Sequence, residues 1–149
     1  GAPIDKKGIG KARAWDVKKV RTTCPYCGVG CQLYLHVKGD KIIRVTGVDD
    51  AEPNKGHLCV KVRYGYDFIY SSDRLTTPLI RQGDGFREAT WDEALDLVAD
   101  KFKQIIKESG PDAIAGVSCS RSLNENSYAM QKLLRGAIGT NNVDNCART

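Results

Sequence analysis

Cys24-Pro25-Tyr26-Cys27-Gly28-Val29-Gly30-Cys31, with Cys59 following further along, is the stretch from which the rest of this chain is best read. Three thiols crowd into one loop and a fourth arrives from a distant segment. A cubane iron–sulfur cluster takes thiolates from different directions, so this spacing points to a four-thiolate [4Fe–4S] site. Zinc is a competing reading, because four cysteines also bind it, usually as two facing CxxC pairs; only Cys24 and Cys27 have that spacing. Disulfides are a third reading for a chain of six cysteines, yet 149 residues with 41% hydrophobic content can bury a core without covalent staples. Gly28 and Gly30 suit either metal, since both permit turns and close approach that let amide hydrogens face the site.

Downstream of the loop, QLYLHV (32–37) alternates, with Leu33, Leu35 and Val37 on one face and Gln32, Tyr34 and His36 on the other, as in a half-buried strand. Gly39-Asp40 turns it into IIRVTGV (42–48), giving a β-hairpin beside the cysteine loop, with His36 expected on its solvent side. The segment DDAEPNKGHLCVK (49–61) returns through a Pro53, Asn54 and Gly56 turn to deliver Cys59. His57 is near, but four thiolates leave it no ligand role. Lys61, two residues past Cys59, reads equally as a cation tuning the cluster's potential or as a solvated surface lysine.

From Pro78 the character changes. PLIR, Gly83-Asp84-Gly85 and FREAT suggest a second hairpin. Thr90 with Glu93 forms a capping box, and Trp91, Ala94, Leu95, Val98, Phe102, Ile105 and Ile106 make a helical stripe, expected to pack in a core, that stops at Gly110-Pro111. DAIAGVSC (112–119) reads as a buried parallel strand. Ser122 with Glu125 opens another helix, Gly139 ends it, and NNVDN (141–145) starts a further strand, completing a βαβ unit. Ligands of such sheets sit outside the carboxyl ends of the strands, here Ser120-Arg121 and Asn145 to Thr149. Arg121 at a helix start suits a phosphate or another anion, and reads equally as a surface arginine in a connecting loop. Cys119 and Cys146 are expected to be small buried fillers.

The formal charge of +5 resides in the first 21 residues; the remainder is balanced. That basic lead lacks sustained apolar periodicity and reads as a linker or an edge-hugging arm of something longer, too short and unpatterned for nucleic-acid binding. No membrane span, signal-peptide core or twin-arginine pair is legible, and thiolates of this kind fit a reducing compartment, the cytoplasm.

Taken together, TTCPYCGVGCQLYLHVKGDKIIRV (22–45), AEPNKGHLCVK (51–61), YSSDRLTTPLIR (70–81), WDEALDLVA (91–99) and SRSLNENSYAMQKLLRGAIGTNNVDNCAR (120–148) resemble the amino-terminal part of molybdenum- or tungsten-dependent formate dehydrogenase catalytic subunits. The likeness runs from Arg21 to Thr149. The cysteine spacing belongs to molybdopterin oxidoreductases generally, whereas NEN and the GTNNVDNCAR tail point to formate dehydrogenases. The resemblance implies a basic arm over 1–20, a small β-rich [4Fe–4S] domain over 21–77 and the beginning of an α/β molybdopterin-binding domain over 78–149, the fold class being α+β followed by α/β. It implies Cys24, Cys27, Cys31 and Cys59 as cluster ligands and Lys61 as an electron relay or tuner between cluster and pterin. Arg121, Asn124, Glu125 and Arg148 are implied near a bis(molybdopterin guanine dinucleotide) cofactor.

The same resemblance implies reversible oxidation of formate to carbon dioxide in a longer chain, with electrons leaving through the cluster to iron–sulfur and flavin subunits of an NAD-linked, cytoplasmic enzyme. The metal-ligating selenocysteine or cysteine would follow Thr149, as though a UGA codon had been read as a stop, so the 149 residues alone are expected to be inactive. Where the family usually has glycine after the lysine, this chain has Val62, and a positive φ there would strain it. Two other readings remain: another molybdopterin oxidoreductase, such as a nitrate reductase or the cluster-bearing subunit of a respiratory complex, and a non-catalytic iron–sulfur electron-transfer module.

Overall fold

The computed structural model of the chain describes residues 10–146, which divide into two compact units, 10–71 with 120–124 and 72–119 with 125–146. Among the described residues no helix is long and apolar enough to cross a membrane.

The first unit is built on a three-stranded antiparallel sheet in the order β1 (Lys18–Thr23), β2 (Gln32–Lys38), β3 (Lys41–Gly47). The β2–β3 hairpin turns at Gly39-Asp40, where Gly39 has φ +55°, a value that glycine adopts without strain. β1 uses the end of the basic lead: Lys18, Lys19 and Val20 pair with Val37, His36 and Leu35. It is an edge strand, largely exposed, and its charged side chains guard an open edge against further pairing. Helix α1 (Val60–Tyr64) follows Cys59. The core gathers Cys24, Leu33, Val45, Leu58, Val62 and Tyr66. Each fully buried aliphatic side chain here contributes about 1.5–3 kcal/mol.

Two expectations for this unit are corrected. His36 is buried, at 9% exposure, just ahead of a register shift of β2 between His36 and Val37; its Nε2 shares a 2.8 Å hydrogen bond with Thr46 Oγ1 across the hairpin. A bulge of this kind rotates the next side chain and interrupts simple alternation. Val62 is unstrained: it lies inside α1, Lys55 is the residue other than glycine with positive φ among those described, and the valine fills the core beside Leu58.

The second unit opens with the hairpin β4 (Leu79–Gln82) and β5 (Gly85–Glu88), turning at Gly83. Helix α2 (Trp91–Ser109) starts at Thr90, whose hydroxyl accepts from the Glu93 amide 3.2 Å away. Glu93 also pairs with Arg87, which holds its carboxyl below the usual range by hydrogen bond and charge. Then come β6 (Gly116–Ser118), α3 (Asn124–Gln131) with a π-helical continuation over Lys132–Ile138, and β7 (Val143–Asn145). β6 and β7 are parallel, so the expected βαβ unit is present, and Gly139 ends its helix in the left-handed conformation with its amide on the Leu134 carbonyl.

Its core is thinner than the periodicity suggested. Ile114, Leu134 and Ile138 are buried, with Phe102, Ile106, Met130 and Val143 packed against them. Trp91 and Leu95 remain 68% and 59% exposed, and Val117 in β6 is 67% exposed. A nineteen-residue helix is about 28 Å long. Two strands spaced about 4.8 Å apart cannot cover it. The stripe and the β-pattern are therefore correct as elements, and their burial is corrected.

Candidate metal centre

Two segments of the first unit bring the cysteines together, the loop over 24–31 and the run that returns to Cys59. The end of β1 lies beside the start of β2, and the ladder is closed by the Cys24 amide donating to the Cys31 carbonyl at 2.8 Å, so residues 24–31 form a loop clasped at its base. Inside that loop Gly30 takes φ +71°. Tyr26 reaches out of it: its hydroxyl donates to the Gly65 carbonyl at 2.6 Å, just past α1, and its ring meets Phe68 edge to face.

The fourth cysteine is held by a residue that sequence reasoning treated only as a turn former. Asn54 is buried, and its side-chain amide pairs with the backbone of Gln32, the residue after Cys31. Oδ1 accepts from the Gln32 amide at 2.7 Å and Nδ2 donates to the Gln32 carbonyl at 3.0 Å. The same Nδ2 donates to the His57 carbonyl, two residues before Cys59. One side chain thus links the segment carrying Cys31 to the segment carrying Cys59. The returning loop is pressed close: a side chain at Gly47 would collide with the Gly56 carbonyl, and Gly56 itself has φ +79°. Leu58 before Cys59 and Val62 after it are both buried, anchoring Cys59 from either side while its own side chain stays exposed.

Burial pushes the Cys24 thiol up, an amide hydrogen bond from Tyr26 partly offsets this, and the charges of Cys31, Cys27 and Cys59 push it up further. Cys31 is raised by burial and by Cys27 and Cys59. The four thiols therefore sit within one electrostatic neighbourhood. Among the described residues no three His, Cys, Asp or Glu side chains close to the spacing of a single metal ion. Four thiol donors that feel one another's charge, three from one loop and one from a returning segment, are the donor chemistry that a [4Fe–4S] cluster takes. Binding requires thiolates, and loading therefore releases protons.

Lys61 is exposed in the first turn of α1, two residues from Cys59. Arg121 is exposed in the segment between β6 and α3, and Glu125 is exposed in the first turn of α3. Asn124 Nδ2 donates to the Gly28 carbonyl at 2.9 Å, within the cysteine loop. A side chain at Gly28 would meet the Asn124 amide, which would have to move aside. Arg148 lies outside the described residues. Cys119 and Cys146, expected as buried fillers, are half-buried and exposed, at the ends of β6 and β7.

Residues 17–71 match the model of the molybdopterin oxidoreductase Fe4S4 domain, and residues 74–149 match that of molybdopterin oxidoreductases. The chain belongs to the molybdopterin oxidoreductase family, and its cofactors are a [4Fe–4S] cluster and a molybdopterin. Among particular relatives, a Bacillus subtilis (strain 168) protein named "Probable oxidoreductase YjgC" is 52% identical over 132 residues, covering 89% of this chain. A Staphylococcus aureus (strain MRSA252) protein named "Putative formate dehydrogenase" is 48% identical over the same share. The chain spans 13% of the length of each. Acetylene hydratase from Pelobacter acetylenicus is a structural neighbour, with a TM-score of 0.67 and 26% identity over 86% of this chain and 18% of its own.

Proposed function

We propose that this chain is part of the catalytic subunit of a formate dehydrogenase, with residues 21–77 as its cluster domain and 78–149 as the start of its pterin-binding domain. The observation that carries the reading is the clasped thiol quartet, Cys24, Cys27, Cys31 and Cys59, joined through Asn54 in a chain 48% identical to a protein named for that activity. When bound, a molybdenum or tungsten bis(molybdopterin guanine dinucleotide) would supply the two-electron chemistry of formate oxidation, and a cluster held by Cys24, Cys27, Cys31 and Cys59 would supply one-electron transfer.

This chain's residues supply the setting. The four cysteines would hold the cluster, Cys24 from a buried position and Cys59 from an exposed one. The Lys61 ammonium, close in sequence to Cys59, would offset the extra negative charge of a reduced cluster and raise its potential. The Arg121 guanidinium would bind a pterin phosphate beyond the carboxyl end of β6, with Glu125 accepting from pterin N–H groups and Arg148 adding a second cation. Electrons would leave to iron–sulfur and flavin subunits and then to NAD, in the cytoplasm.

The test is metal analysis and formate-dependent dye reduction on the full-length protein. About four iron and four acid-labile sulfide per chain, with both iron and activity lost in Cys24→Ser, are expected. One zinc and no iron would overturn the cluster reading. An iron-replete, pterin-loaded protein that reduces dye with another substrate and never with formate would overturn the substrate.

A further inference from the structure

The carboxyl ends of β6 and β7 carry a second pair of thiols that the cluster does not use. The strands run parallel in the register Gly116↔Val143, Val117↔Asp144 and Ser118↔Asn145. One further step along that register sets Cys119 beside Cys146. Their sulfurs lie 3.1 Å apart, with the Cys146 thiol donating to Cys119. Neighbouring strands are about 4.8 Å apart, inside the range of about 4.4–6.8 Å between α-carbons that a disulfide spans. Closing the bond to about 2.05 Å therefore needs only a small side-chain adjustment. Cys146 is exposed and Cys119 half-buried, so a reagent can reach the pair.

We infer that Cys119 and Cys146 form a redox-responsive dithiol that closes into an intrachain disulfide by exchange with a small-molecule disulfide of the glutathione type. The exposed Cys146 loses its proton to water, and its thiolate attacks one sulfur of the reagent. The reagent's S–S bond breaks and its first thiolate leaves, taking up a proton. Cys119, in contact with the mixed disulfide, then loses its own proton and displaces the second reagent thiolate, which is protonated in turn. Two protein thiols and one reagent disulfide become one protein disulfide and two reagent thiols, with two electrons passing from protein to reagent. A disulfide that is exposed and spans adjacent strands belongs to the readily reduced class, so the pair reopens when reduced thiol prevails. The crosslink ties together the two strand ends beside which ligands of parallel sheets sit.

The test is to equilibrate the iron-loaded full-length protein with oxidised and reduced glutathione in varying ratio, then alkylate, digest and map peptides by mass. Expected in the wild type is a Cys119–Cys146 crosslink, about 2 Da lighter than its reduced parts, that rises with the oxidised fraction and disappears on reduction, without loss of iron. Cys119→Ser should leave Cys146 carrying one glutathione, since the displacing thiol is gone. Cys146→Ser should leave Cys119 with little or none. The inference fails if both wild-type cysteines remain alkylatable in excess oxidised glutathione, or if each carries its own glutathione with no crosslink between them. Iron content and thermal unfolding of both variants, expected unchanged, separate these outcomes from misfolding.

Discussion

Among the described residues the first unit gathers a core cluster of six buried residues around a small sheet and uses that burial to aim side chains; the core cluster of the second holds three and leaves much of its longest helix open. Both are made of well-specified elements. In the first, tertiary contacts close over those elements: Leu58 and Val62 flank Cys59, and Asn54 joins two segments distant in sequence. In the second, the Thr90 cap, the Gly83 turn and the Gly139 terminus are all formed, yet most of the α2 stripe is left exposed by the described residues. Local chemistry defines where an element begins and ends. What it packs against is a separate matter, decided by how much sheet surface stands nearby.

This contrast can be broken in the second unit first, where the largest change is expected. Leu134 is 3% exposed at the centre of the three-residue core, and Leu134→Ala should cost about 2–5 kcal/mol, read as a lowered midpoint in urea unfolding. A loss below the lower figure would mean that this core is not what holds the βαβ unit. Next in size, Asn54→Ala strips partners from the Gln32 amide and from the Gln32 and His57 carbonyls, and should cost about 1–3 kcal/mol. Hydrogen exchange at the Gln32 amide should quicken in parallel; unchanged protection would show that the two cysteine-bearing segments are joined by something else. The smallest effect belongs to the open stripe. Leu95→Glu should change the unfolding free energy of the 149-residue chain by less than about 0.5 kcal/mol, and a larger penalty would show that α2 is covered after all.

Much of the fold was legible because it depends on near neighbours. The two hairpins were marked by Gly39-Asp40 and Gly83-Asp84, and α2 by its capping box. The cysteine loop was marked by spacing alone. β1 was hidden because it is a charged edge strand with only one partner, and so shows no apolar alternation. The burial of His36 was hidden because alternation was read as one covered and one open face, whereas the face of Gln32, Tyr34 and His36 is partly covered too. Asn54 was visible as a turn residue and invisible as a link, since its partner at Gln32 is far away in sequence and asparagine is common in turns. The same limit applies to Asn124, whose bond to Gly28 spans 96 positions. Cys119 and Cys146 were seen separately; only the parallel register makes them neighbours.

The Asn54 link works as a ruler. It measures the place of Cys59 from the foot of β2 and takes no account of the chain that loops out between. The hairpin could therefore grow or shrink at its Gly39-Asp40 tip over generations without disturbing the fourth corner of the site. The short run from Asn54 to Cys59 has no such freedom, because one residue added or lost there would shift the sulfur by about 3.3 Å along an extended chain. Relatives that differ in the length of this region should differ at the tip of the hairpin and agree at its base.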